Sequence, residues 1–101
     1  MRLVELLLPV RDNDGVAFGR EPYDAVRREL TDAFGGVTAH LRAPAAGLWD
    51  EGDEVVRDDI VIFEVMVDDV DARWWRDYRV SLERRFRQDE IVIRALPMER
   101  I

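Results

Sequence analysis

Cysteine and lysine are both missing from this 101-residue chain, and histidine occurs once, at position 40. Without cysteine there is no disulfide, no thiolate nucleophile and no cysteine-bound metal. Without lysine there is no side-chain amine for Schiff-base chemistry, since all fifteen basic residues are arginines. A lone histidine with no cysteine to help it is a poor metal site, so no metal is expected. Long apolar runs are lacking too. None approaches the ~20 residues a helix needs to cross a bilayer, and the N-terminus shows no signal-peptide cleavage pattern. The expectation is a cytoplasmic protein with no membrane association. An excess of positive charge is also absent. The formal charge of −7 argues against a nucleic-acid partner, whose phosphates must be neutralised. Neither a GxGxxG nor a Walker pattern is present, so no phosphate loop and no organic cofactor are expected.

A repeated hydrophobic pattern stands against these absences. Tyr23, Val26, Leu30 and Phe34 fall on one face of a helix, and Trp75, Tyr78, Leu82 and Phe86 repeat the same spacing. An apolar run of strand length precedes each set and another follows it. Residues 3–9 read as the first strand, ended by Pro9. A turn at Asp12-Asn13-Asp14-Gly15 follows, then Pro22 at the first turn of a helix that runs to about Phe34. Gly35-Gly36 supply its left-handed stop. Residues 37–42 alternate as a half-buried strand, and 59–67 are the most strand-like stretch, with Val55-Val56 as an extension across an irregularity. Asp68, Asp69 and Asp71 precede the second helix, and Arg84, Arg85 and Arg87 lie at its end; both placements suit the helix dipole. Ile91–Leu96 is the last strand. The order βαββαβ predicts one domain over residues 1–101. It is a ferredoxin-like α+β sandwich: a four-stranded antiparallel sheet of order 4-1-3-2 with both helices on one face.

Two helices on one face leave the other uncovered. Alternation sends Val4, Leu6, Leu8, Phe63, Val65 and their neighbours toward the helices. It sends Leu3, Leu7, Ile62, Met66, Val92 and Leu96 to the reverse face, with Glu5, Thr38, His40, Arg42, Glu64 and Arg94. Burying one large apolar side chain contributes roughly 1.5–3 kcal/mol, so covering six is worth about 10 kcal/mol before the costs of association. A homodimer paired sheet to sheet is the expected solution; long loops folding over the face within one subunit is the other.

The charged members of that face predict a row, Arg94–Glu5–Glu64–His40. Two adjacent carboxylates would push one pKa upward, which is how a general acid is made. His40, Glu5 and Glu64 are thus the candidate catalytic residues, His40 as base or orienter. Arg42 and Arg94 are candidate ligand-binding residues for an anionic group, and Trp49 is a candidate lid or interface plug or, equally, folds back on its own domain. A neutralised network that lets an apolar interface tolerate charge uses the same residues. Asp12 and Asp14 mimic a calcium loop, but Val10 would occupy its first ligand position and the preceding element is a strand, so a plain turn is the reading. Trp74 and Trp75 are adjacent, so only Trp75 fits the core stripe and Trp74 belongs at its edge or in an interface. The loops 10–21, 43–53 and 87–90 should share one end of the sheet, where a cleft would combine Arg11, Asp12, Trp49, Gln88 and His40.

Several segments carry a resemblance: Phe34-Gly35-Gly36-Val37-Thr38, Arg42-Ala43-Pro44, Gly47-Leu48-Trp49, Asp58-Asp59-Ile60 and Phe63-Glu64-Val65-Met66-Val67-Asp68. Over nearly its whole length the chain resembles a family of uncharacterised bacterial proteins of roughly 100 residues. More loosely it is similar to the dimeric α+β barrel superfamily. That resemblance implies two ferredoxin-like subunits paired sheet to sheet, often with a small organic molecule between sheet and helices. It carries no catalytic motif onto particular residues. Cofactor-free monooxygenases, small isomerases and haem-handling proteins belong to that superfamily. The function expected is a small homodimer that binds a small molecule or a partner protein without catalysis. The alternative is a cofactor-independent monooxygenase or isomerase acting on a small aromatic or carbonyl compound through His40, Glu5 and Glu64. Haem binding through His40 is a remoter reading. An RNA-binding sheet is disfavoured, because the central strands lack aromatic residues for base stacking.

Overall fold

The computed structural model describes residues 1–42 and 60–101, with Leu41 and Arg42 by backbone alone. Its elements are β1 (Arg2–Pro9), α1 (Glu21–Phe34), β2 (Thr38–Arg42), β3 (Ile60–Val67), α2 (Ala72–Arg85) and β4 (Val92–Pro97). The strands form one antiparallel sheet in the order β2-β3-β1-β4, which is the expected 4-1-3-2 read from the opposite edge. The arrangement is ferredoxin-like. The suggested extension at Val55-Val56 lies outside the described residues.

Both helices cover the same face, because both apolar stripes must reach one set of inward side chains. Val26 and Leu30 of α1 join Trp75 and Leu82 of α2, and Phe86 just beyond it, in a single core with Val4, Leu6, Leu8, Phe63 and Val65. Nine of the core side chains are no more than 2% exposed, so the alternation of β1 and β3 is committed to this face. Tyr23, Phe34 and Tyr78 complete the stripes at the core margin. Phe34 stacks on Trp75 with centroids 5.1 Å apart and planes 6° apart. Trp74 sits at the edge of the stripe as expected, packed against Phe34 and Tyr78.

Local chemistry ends the elements. Pro22 lies in the first turn of α1, and Gly35 closes it at φ 82°, a conformation an L side chain resists. Asp71 caps α2, its carboxylate accepting from the Trp74 N–H at 3.1 Å. The end of α2 lacks a glycine. Arg87 takes the left-handed position at φ 51°, the Gln88 N–H donates to the Glu83 carbonyl at 2.9 Å, and the Arg87 N–H donates to the Arg84 carbonyl at 3.2 Å. These two bonds make a Schellman closure with arginine where glycine is usual. The last strand begins one residue later than the sequence pattern suggests. The Ile91 N–H is taken by Glu83 Oε2 at 2.9 Å, and the register with β1 ends at Val92 opposite Leu7.

Ion pairs tie the helices together. Glu29 on α1 accepts from Arg85 through both guanidinium nitrogens at 2.8 Å and from the Tyr78 hydroxyl at 2.8 Å. Arg85 holds the Glu29 carboxyl below its ordinary range against the opposing effect of burial. Burial, and then the Glu29 carboxylate, push the Tyr78 hydroxyl strongly up. Burial also raises Tyr23, whose hydroxyl donates to the Pro9 carbonyl at 2.6 Å.

Candidate functional site

The reverse face of the sheet is built by the alternate residues of the same strands. Met66, Val92 and Leu96 are 51%, 47% and 38% exposed, and Leu3 and Leu7 are half-buried. Ile62, between Leu7 on β1 and His40 on β2, is the one buried member of the set. Apolar side chains therefore run across the outer part of this face, and a line of polar ones crosses its middle.

That line follows from register. Glu5 lies opposite Arg94 on one side and opposite Glu64 on the other. Arg94 Nε donates to Glu5 Oε1 at 2.8 Å. His40 Nε2 lies 3.1 Å from Glu64 Oε1. The expected row is thus present, with one correction. The residue opposite Glu64 is Thr38, and His40 lies opposite Ile62, so His40 reaches Glu64 diagonally, across one two-residue step. A slip of two residues keeps a side chain on the same face, which is why alternation does not detect it.

The electrostatic expectation is corrected at Glu5. The two carboxylates stand side by side, yet the Glu5 pKa is lowered. The Arg94 hydrogen bond is the largest cause and outweighs the desolvation that opposes it. Glu5 is therefore ionised at neutral pH and is no proton donor there. Its side chain is 13% exposed and that of Glu64 is 23%, while Arg94 and His40 remain nearly half exposed. The carboxylates lie down on the sheet and their partners rise at the margins. The Glu64 carboxylate fixes one ring nitrogen of His40 and so orients the imidazole.

The loop end of the face carries a groove of about 510 Å³. Its floor is Leu7, Ile60 and Val92 from the reverse face, and its wall includes Arg11, Asp12 and Gln88 from the loops. The loop after β1 and the loop after α2 do share this end. Arg87 donates to Asp12 Oδ2 at 3.2 Å, and Asn13 donates to the Arg87 carbonyl at 3.4 Å. Asp12 Oδ1 meanwhile accepts from the Asp14 and Val16 N–H groups, each at 2.9 Å. This carboxylate closes a turn and holds a neighbouring arginine, as the plain-turn reading requires. Among the described residues no three acidic or histidine side chains gather as metal ligands.

The structure thus unites His40, Glu64, Glu5 and Arg94 in one line and Arg11, Asp12 and Gln88 in one groove. His40 does not line the groove, being one strand and two residues away from its floor at Ile60. Arg42 pairs by backbone with Ile60 at the groove end of β2; its side chain, and all of Trp49, lie outside the described residues. Arg87 was not among the candidates. The only signal for it was a charged residue at the end of a helix pattern with no glycine to stop it. Among the described residues no helix is long and apolar enough to cross a membrane. Compared with known proteins, the chain matches no family model, no curated protein and no solved structure.

Proposed function

We propose that the protein works as a homodimer, reverse face against reverse face, that binds a small molecule in the groove at the loop end without catalysing a reaction. The observation that carries this reading is the company the apolar residues keep. Met66, Val92 and Leu96 stand exposed around acidic groups that already have partners of opposite or complementary charge. A chain of net charge −7 repels its own copy, and this face is where that repulsion is locally offset.

The energies favour a dimer that responds to concentration. Three half-covered side chains clear of the groove, Leu3, Met66 and Leu96, would each gain roughly 1 kcal/mol on full burial. Two copies double that to about 6 kcal/mol, against an association cost of about 4–15 kcal/mol. Light scattering across a micromolar range should find a species of twice 11.8 kDa, and Met66→Asp should return it to the monomer. A wild-type monomer at all those concentrations would defeat the reading.

The groove suits a ligand with an apolar body and one anionic group. Leu7, Ile60 and Val92 would take the body. Arg11, whose hydrogen bond to the Gly15 carbonyl is long at 3.4 Å, would take the charge. Its volume falls within the usual range for small-molecule sites. Thermal-shift screening with amphipathic carboxylates should give stabilisation that Arg11→Ala removes. The catalytic alternative finds less support at Glu5, one of its two candidate acids, which Arg94 holds ionised.

A further inference from the structure

We propose that the outer edge of β4 is a docking edge that adds an extended acidic segment of a partner protein as a fifth strand. β4 ends the sheet, and among the described residues no strand pairs with its outer side. Its six residues, Val92–Pro97, are exposed except for half-buried Ile93. Every second residue of such an edge turns an unpaired N–H and C=O outward, a template for another strand. Edges of this kind are usually blocked by lysine, proline or a bulge within the strand. Here the only proline is Pro97, at the end, and the one charged residue, Arg94, which also lines the groove beside the edge, is already bonded to Glu5.

A groove of about 240 Å³ runs beside this edge, under α2. Val4, Ile93 and Ala95 form its floor, Trp75 part of its wall, and Arg76 and Arg79 its rim. Arg76 has no ion pair with any described residue. Arg79 has one contact, with Glu83 Oε2 at 3.9 Å, and that oxygen already accepts from the Ile91 N–H at 2.9 Å. Two guanidinium groups thus line a channel with an apolar floor, their hydrogen-bonding capacity largely unspent.

The occupant follows from this geometry. An added strand would present alternate side chains to the helix side, level with Ile93 and Ala95 and beneath Arg76 and Arg79. Carboxylates at the rim would match the planar fork of arginine, and small apolar residues would fill the channel. A second copy adding its own β4 fits poorly. A two-fold axis at the edge would bring the arginine-bearing rims toward each other, and like charges facing across strands are destabilising. This edge is independent of the sheet-face dimer, and the Met66→Asp variant leaves it intact.

The test is an amide-resolved NMR titration of the whole chain, in wild type and in Met66→Asp, with two capped peptides. One alternates Glu and Val over the length of β4, six residues; the other alternates Lys and Val. The Glu-Val peptide should shift the backbone amides of residues 92–97 in both proteins. Arg76→Gln with Arg79→Gln should weaken it roughly five- to tenfold, with helix content unchanged. Methylating the amide nitrogens along one edge of the peptide should abolish binding. Equal response to the Lys-Val peptide, shifts at Leu3 and Met66 in place of β4, or no response at millimolar peptide would each overturn the proposal.

Discussion

The two faces of this sheet are made by the same strands and have opposite fates. On the helix side, Leu6 and Leu8 of β1 and Phe63 and Val65 of β3 are 2% exposed or less. One residue away along the same strands, Met66 is 51% exposed and Glu5 bonds Arg94 across the strands. The first face is closed by contacts within the chain. The second is neither a solvated polar surface nor a core, because it mixes exposed apolar side chains with charges that are already paired. A surface of that kind is suited to meet another surface.

The comparison breaks most visibly under truncation. Phe63→Ala should destabilise the fold by about 3–5 kcal/mol and Leu6→Ala by about 2–5 kcal/mol, through lost burial and the cavity left behind. Met66→Ala should change monomer stability by less than about 1 kcal/mol, since half its surface is already in water. Urea unfolding of the three variants measures this. A comparable loss at Met66 under conditions where the protein is monomeric would show that the reverse face contributes to the fold itself.

A smaller effect sharpens the second face. If it pairs with a copy, the melting temperature of the wild type should rise with protein concentration, and that of Met66→Asp should not. A concentration-independent melting temperature in both would return the reverse face to solvent.

The acid limb is common to both faces, and the alkaline limb separates them. Glu5 on the reverse face and Glu29 on the helix side both have lowered pKa values, caused chiefly by Arg94 and by Arg85. A carboxylate whose folded pKa is depressed contributes stability that is present above its unfolded value, about 4.3. That stability is lost as pH falls through the folded pKa. Glu29→Gln and Glu5→Gln should each flatten the acid limb of the stability profile, and stability at neutral pH should fall in both. The alkaline limb belongs to the helix side alone. Tyr78 and Tyr23 are raised, so their contribution is complete below the unfolded value of about 10 and is lost as pH rises above it. Ultraviolet titration of the folded protein should find both tyrosines ionising later than free tyrosine.

The smallest effect concerns the end of α2. Arg87→Gly should relieve a left-handed backbone worth roughly 1 kcal/mol while removing the Asp12 ion pair, whose arginine is 71% exposed and whose contribution is about 0–1 kcal/mol. The net change should lie within about 1 kcal/mol of zero or be stabilising. A large loss would show that the tie between the two loops at the groove matters more than the strain.

Much of the architecture was legible because it rests on period. The helix stripes at Tyr23–Phe34 and Trp75–Phe86, the alternation in β1 and β3, and the stop at Gly35-Gly36 are patterns that one segment carries by itself. The candidate site was legible only in part. Alternation put Glu5, Glu64, His40 and Arg94 on one face, and matching the strand centres placed the first two and Arg94 side by side. It could not distinguish His40 opposite Glu64 from His40 opposite Ile62. Nor could it tell whether repulsion from Glu64 or the Arg94 hydrogen bond would govern Glu5. Arg87 was invisible as a link to Asp12 because the two are 75 residues apart in the chain.

Hydrophobic period by itself determined how many elements this protein has, their order, and which side chain of each strand faces the helices. Those follow from the geometry of a helix turn and a pleat, which every segment obeys before it meets another. Tertiary structure alone decided the diagonal reach of His40, the direction of the Glu5 shift, the groove at the loop ends and the open edge of β4. Each of these depends on distances between atoms of different segments, and such distances exist only once the sheet has chosen its register.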